Sequence, residues 1–394
     1  MAGNVLTPVE GSSRSLAIEG WRGIAHSYAL VNQWQLLALA HRTDVSVTVK
    51  DLPFFKTHWR SEPGLFGSEA EAVLRTFPAT SLDSQPDATL RISYPYDITR
   101  AAFGKTAVFA TLEQQTIRRA QLADRLAFER LQFIPPAIDF ITPSNWSAEG
   151  LLKFGIPETR VKVVPHGADP RVFHPSPDVR ERLRQQMRIP AGDFVFLSIG
   201  AMTENKGVDL LLRAFAAVCA RFPHCRLVLK GNDPLYESRE LLGKILADIP
   251  PLEREQVLKR TAYFGNSMPN AQLAQLYQMA DVYVSPYRAE GFNLPVLEAA
   301  ASGLPIICTA GGPTDDFVSD SFAHKIASNK VSAYQDGQEV FTLRPDFDHL
   351  IALMMEVVES SDWRKHAAAA GPVHVHERFT WDHAVEKLLR ALFD

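Results

Sequence analysis

Apolar positions in this chain fall into two alternating patterns. Short β-rich runs, such as Leu16-Ala17-Ile18 and the 45–49 segment, read as strands. Between them lie longer stretches with apolar residues near every third or fourth position. The best of these covers 27–40, where Tyr28, Val31, Trp34, Gln35 and Leu39 share a helical face. Further strands are predicted at 90–93, 107–110, 137–142 and 161–165, and helices at 69–76, 115–133 and 144–154, the last capped by Ser144. The 115–133 helix carries Arg118, Arg119, Arg125 and Arg130 beside Asp124 and Glu129, the mixture of a solvated face. The 50–86 region is rich in proline and aromatics and has little other periodicity.

Residues 167–178 hold three prolines and no periodicity, and read as a linker. The alternation then resumes more cleanly. Strands are predicted at 194–198, 226–230, 262–264, 282–285 and 304–308, and helices at 207–222, 237–249, 271–279 and 294–302. A last helix, 381–393, follows an expected break at Gly371-Pro372. Strands alternating with helices imply an α/β protein with parallel sheets and right-handed crossovers. Two such series give two Rossmann-like domains, with ligands at the carboxyl ends of the strands. At 394 residues the chain is long enough for both.

Composition narrows the function classes. The net charge of −4 gives no reason to expect nucleic acid as a partner. Three cysteines without metal-ligand spacing fit a reducing cytoplasm. The first fourteen residues have no apolar core of a signal peptide, and no run nears the ~20 apolar residues of a membrane span. The expected location is therefore cytoplasmic, with peripheral contact at the inner face of a membrane left open.

Candidate chemistry gathers at the predicted strand ends. After the 282–285 strand come Glu290, Gly291, Phe292, Asn293 and Leu294, with Asn293 as expected N-cap and Pro295 suited to the first helical position. Free N–H groups at that helix start suit an anion such as phosphate, and Gly291 lets it approach closely. Glu298, one turn in, can accept paired hydrogen bonds from vicinal hydroxyls, as on a ribose. Glu290 can reach the other end of the same ligand. The loop after 194–198 contains Gly200 and Lys206, a second phosphate-type site. It lacks the Gly-Lys-Ser/Thr of a Walker loop, and Gly-x-Gly-x-x-Gly occurs nowhere. Gly231-Asn232-Asp233, Gly265-Asn266-Ser267 and Gly311-Gly312-Pro313 close other predicted strands in the same half.

Glu290 and Glu298, seven residues intervening, within EGFNLPVLEAAASGLP, resemble the signature of retaining GT-B glycosyltransferases of family 4, the group 1 glycosyl transferases; Asn293 stands where that family usually has Gly. The resemblance is strong from about residue 139 onward. It implies two facing Rossmann-like domains, 1–175 on the acceptor side and 176–378 on the donor side, with the helix at 379–394 crossing back. It also implies transfer of a sugar from a nucleoside diphosphate sugar to an acceptor hydroxyl, with that sugar nucleotide as substrate, no further cofactor and no metal. Glu290 would hold the sugar hydroxyls, and Glu298 the ribose. Gly265 and Asn266 would meet the base. The family's usual Arg five positions before Lys206 is Ala201 here, and Arg288 is the candidate replacement. The family's paired glycines after the first strand correspond to Gly20 and Gly23, and its usual His to Glu113, with His26 as rival in that catalytic place. His166, at a hinge, reads as structural. Two other readings share this architecture: a sugar-nucleotide epimerase or phosphorylase, and a nucleotide-sugar-binding protein without catalysis.

Overall fold

The computed structural model describes residues 14–124 and 138–394. The first half contains β1 (Arg14–Gly20), α1 (Ser27–Leu39), β2 (Val45–Asp51), α2 (Ser68–Thr76), β3 (Ala88–Ile92), β4 (Lys105–Phe109), β5 (Ile138–Thr142), α3 (Asn145–Lys153) and β6 (Val161–Val163). Its six strands form one parallel sheet in the order β2-β1-β3-β4-β5-β6. Strands β3 and β5 are buried along their whole length, whereas the edge strand β2 buries only Val45, Val47 and Val49, the alternation of a strand with one wet face. Ser144 caps α3 as expected, its Oγ accepting from the Ser147 N–H at 3.2 Å.

Residues 164–176 lead without regular structure to α4 (Pro177–Gln186). Pro177 and Asp178, read as the end of a linker, are the first turn of that helix. Then follow β7 (Phe194–Ile199), α5 (Val208–Arg221), β8 (Cys225–Lys230), α6 (Asp233–Tyr236), α7 (Ser238–Ala247), α8 (Pro251–Arg260), β9 (Thr261–Phe264), α9 (Asn270–Met279), β10 (Val282–Ser285), α10 (Leu294–Ala301), β11 (Ile306–Thr309) and β12 (Ala323–Ile326). This second parallel sheet runs β12-β11-β10-β7-β8-β9. Strand order reverses between β7 and β10, and in the first sheet between β1 and β3. Such reversals open a crevice at the carboxyl ends of the strands.

Several expectations needed correction. Of the helix expected at 115–133, residues 125–133 lie outside the described residues, and 115–124 are not α-helical: Gln115 has a left-handed φ of 51° and only a 3-10 turn forms at Arg119–Gln121. The break expected at Gly371-Pro372 is absent, because both residues sit inside α12 (Ser361–Arg378). The chain turns at Phe379 and Thr380 before α13 (Trp381–Phe393), which Thr380 caps. Asp315 and Asp316 lie in a 3-10 turn. Also unpredicted were α4, α6, α8, α11 (Phe347–Glu359), α12, β12 and an antiparallel hairpin of β13 (Ser328–Gln335) and β14 (Gln338–Pro345).

Helix α13 returns to the first sheet. Trp381 stacks on Trp34 of α1 with ring centroids 6.2 Å apart, and Lys105 Nζ donates to the Ala391 carbonyl at 3.2 Å. Among the described residues no helix is long and apolar enough to cross a membrane.

Candidate functional site

A cavity of about 560 Å³ lies between the carboxyl ends of the two sheets, at both strand-order reversals. Its lining includes Glu113, Arg118, Lys206, Lys230, Glu290 and Glu298, three acids and three bases. Gly200, Gly291, Phe292, Asn293, Leu294 and His26 line it as well.

The start of α10 forms one wall. This helix reads LPVLEAAA and is buried from Val296 to Ala301, so it is held on all sides and not merely along one stripe. Asn293 precedes it with φ 77° and ψ 63°, and its side chain makes no cap hydrogen bond. Its Nδ2 instead donates to Ser285 Oγ at 3.0 Å, back toward β10. The left-handed backbone explains why glycine suits this place and why asparagine is tolerated there. Gly291 is required for closeness: a β-carbon would run into Thr111 Cγ2 of the facing half.

Glu290 is buried and paired with Lys206 Nζ. Burial pushes the Glu290 carboxyl up against the pull of Lys206. For Lys206 burial works downward, but Glu290 and Glu113 outweigh it and hold the ammonium above its ordinary value. The aliphatic stem of Lys206 lies over Gly200, 3.9 Å from where a β-carbon would stand. Glu298 is buried too; burial raises its carboxyl from 4.5 to about 7, offset in part by the Tyr277 hydroxyl donating to Oε2 at 2.8 Å. A carboxyl poised there gains from any donor pair that a ligand brings.

The first half supplies the opposite wall. Glu113 lies at the cavity mouth and accepts from Asn205 Nδ2 at 3.1 Å, so it bridges to the loop carrying Lys206. His26 caps α1, its Nδ1 accepting from the Tyr28 N–H at 3.3 Å, which places the proton of the neutral ring on Nε2. Burial lowers its pKa to about 4. His166 also lines the cavity, buried, with Nδ1 unpartnered and its pKa pushed down to about 3 by burial. Its ring sits 4.8 Å from Phe292 and 5.8 Å from Trp381, joining both halves and the last helix.

Four expected members do not reach the cavity wall. Gly265 lies under the Asp233 carboxylate, where a β-carbon would collide, and neither it nor Asn266 lines the cavity; Ser267 and Met268, the next residues, do. Gly20 and Gly23 serve the packing of their own half. A β-carbon on Gly20 would stand 2.7 Å from the Ile92 carbonyl, and one on Gly23 2.6 Å from Ser61 Oγ. Arg288 is no substitute at Ala201. Its guanidinium is held by Asp209 in two hydrogen bonds of 2.7 Å, and Arg288 is not among the lining residues. Conversely, the sequence reading passed over Lys230, Tyr277 and Asn205. Lys230 was visible only as an unusual charge at the end of an apolar strand.

A family model for glycosyl transferases group 1 matches residues 179–337. Over these residues, some two fifths of the chain, it is similar to the group 1 glycosyl transferases. Curated relatives include the D-inositol 3-phosphate glycosyltransferase of Corynebacterium aurimucosum, 32% identical over 41% of this chain and 37% of the relative. Another is the GDP-mannose-dependent alpha-(1-6)-phosphatidylinositol monomannoside mannosyltransferase of Mycolicibacterium smegmatis, 28% identical over 50% of this chain and 48% of the relative. The chain thus spans about half or less of the length of these relatives. Sucrose-phosphate synthase from Thermosynechococcus elongatus superposes with a TM-score of 0.67 at 17% identity, over 96% of this chain and 99% of that one. Anabaena Alr3699/HepE in complex with UDP and glucose gives 0.66 at 15%, over 96% and 98%. At these identities the likeness establishes the fold alone, which is GT-B.

Proposed function

We propose that the protein is a retaining glycosyltransferase that moves a sugar from a nucleoside diphosphate sugar to an acceptor hydroxyl, in glycan or glycoconjugate synthesis. The observation that carries this reading is the convergence of the Glu290–Lys206 pair, the buried Glu298 and the opening of α10 on one cavity between two sheets. The diphosphate sits against the N–H groups that open α10 and against Lys206, whose fixed charges match the negative charge growing on the leaving group. Glu298 takes the ribose hydroxyls, and Glu290 orients the donor sugar. The bond from the anomeric carbon to the diphosphate oxygen breaks while that from the acceptor oxygen forms. The acceptor proton is taken up on the side of Glu113 and His26. Metal independence is part of the proposal: Lys206 and the helix opening supply the positive charge, and among the described residues no group of three or more His, Cys, Asp or Glu could hold a metal ion. The acceptor class is a saccharide, lipid-linked glycan or small molecule.

Calorimetry with UDP, GDP and ADP, followed by turnover of the corresponding sugar nucleotides, tests the reading. Glu298→Ala is expected to weaken nucleotide affinity by roughly tenfold or more, the worth of charge-assisted hydrogen bonds. Glu290→Ala is expected to lower kcat with little change in nucleotide affinity. Equal and negligible effects of both would refute the assignment.

A further inference from the structure

A diphosphate bound here would meet a cavity whose charges already cancel. Lys206 is matched by Glu290, and Ala201 contributes no charge. Arg118 lies at the hairpin, where its guanidinium donates to Gln335 Oε1 at 3.2 Å. Lys230 differs from both. It ends β8, lines the cavity and is only 6% exposed, and the one side-chain hydrogen bond it makes among the described residues is to the Gly231 carbonyl. Among the described residues no carboxylate forms an ion pair with it. A lysine desolvated in this way is rare unless something compensates it.

Position adds to the case. The Gly200 N–H donates to the Lys230 carbonyl at 2.9 Å, so Lys230 lies one strand over from the loop holding Gly200, Ala201 and Lys206. Ala201 and Lys230 both line the cavity. We propose that Lys230 is the second cation of the donor diphosphate subsite, supplying from β8 the charge that Ala201 leaves out of the β7 loop. This rests on the donor reading given above. It assigns a specificity role as well: Lys230 distinguishes a nucleoside diphosphate from a monophosphate, because the nucleoside end is already held elsewhere, at Glu298. Burial pulls the Lys230 ammonium down to about 8, with Asp233 and Glu62 acting the other way, so the charged form gains from an arriving anion.

The test is calorimetry on the full chain with UDP, GDP and ADP, each paired with its monophosphate. For the base that binds, Lys230→Met is expected to lower diphosphate affinity by roughly ten- to hundredfold, with monophosphate affinity within about twofold. Lys230→Arg should retain diphosphate binding within about threefold. Adding Ala201→Arg to Lys230→Met should restore part of the loss, a recovery that a merely structural lysine would not permit. Loss of mono- and diphosphate binding alike, or diphosphate binding unchanged in Lys230→Met, would overturn the assignment while leaving the donor reading intact. If the wild type binds none of the three diphosphates, the donor reading falls and this inference with it.

Discussion

Glu298 carries the most informative charge in the molecule. Its carboxyl is raised from 4.5 to about 7 by burial, so the folded protein holds its proton more tightly than the unfolded chain does. The sign follows directly. The contribution to stability is intact below pH 4.5 and is lost as pH rises through about 7, reaching roughly 3 kcal/mol above pH 8. Glu298→Gln keeps an acceptor for the Tyr277 hydroxyl and cannot ionise. Thermal denaturation should therefore show the variant melting several degrees above wild type at pH 8.5 and close to it at pH 5. A constant difference at both values would remove burial of the charge as the cause. A difference confined to high pH would mean that wild type keeps an ionisable group at a stability cost, as expected for a residue retained for binding. Asn293 illustrates the same scale differently: its identity answers a backbone angle and a bond to Ser285, not the capping role that its residue type suggests.

Among the elements, α10 and α12 form the contact on which the donor side is built. Gly371 lets them approach: a β-carbon there would stand 2.8 Å from the Ala300 carbonyl. Pro372 follows it inside α12 without ending the helix, buried with Gly371 on the face that packs inward. Gly371→Val should force the helices apart and destabilise the fold by about 1–3 kcal/mol, the usual cost of overpacking, read as a lower denaturant midpoint at unchanged m-value. An unchanged midpoint would show that α12 can shift freely. The β13–β14 hairpin is the other element with consequences beyond itself. The Phe341 N–H donates to the Gln114 carbonyl at 3.0 Å, Gln338 Nε2 to the Ile117 carbonyl at 3.0 Å, and Lys153 lies 4.0 Å from the centre of the Phe341 ring. It thus braces the 113–118 loop, which carries Glu113, from the opposite half of the molecule.

For the whole molecule, the two halves meet directly as well as through the hairpin. Ser144 Oγ donates to the Gly291 carbonyl at 2.6 Å, and Asp316 accepts from the Asn145 N–H at 2.7 Å and from its Nδ2 at 3.0 Å. These bonds join the start of α3 to the donor-side loops and hold the cleft narrow. Closure of this kind excludes water from a reacting centre. Asp316 does not line the cavity, so Asp316→Ala should leave nucleotide affinity within about twofold. It should widen the cleft, seen as a larger radius of gyration in small-angle scattering, and lower turnover several-fold. Scattering curves identical to wild type would show that the remaining contacts suffice.

Local pattern by itself determined the alternation of strands and helices, the two-domain α/β class, and the loops at 200–206 and 290–298. These depend on periodicity and on residues adjacent in the chain, and each is a short-range property. Tertiary structure decided the rest. Whether Gly20, Gly23 and Gly265 face a ligand or their own neighbours depends on which backbone approaches them, and that partner is distant in sequence. Arg288 looked available until folding placed Asp209 against it. Lys230 looked like the end of an ordinary strand until the sheet set it beside Gly200. Hairpin β13–β14 eluded the pattern because most of its side chains stay wet, so no buried face marks it. A charge becomes functional through the low dielectric around it and the partners within reach, and both are set by long-range packing.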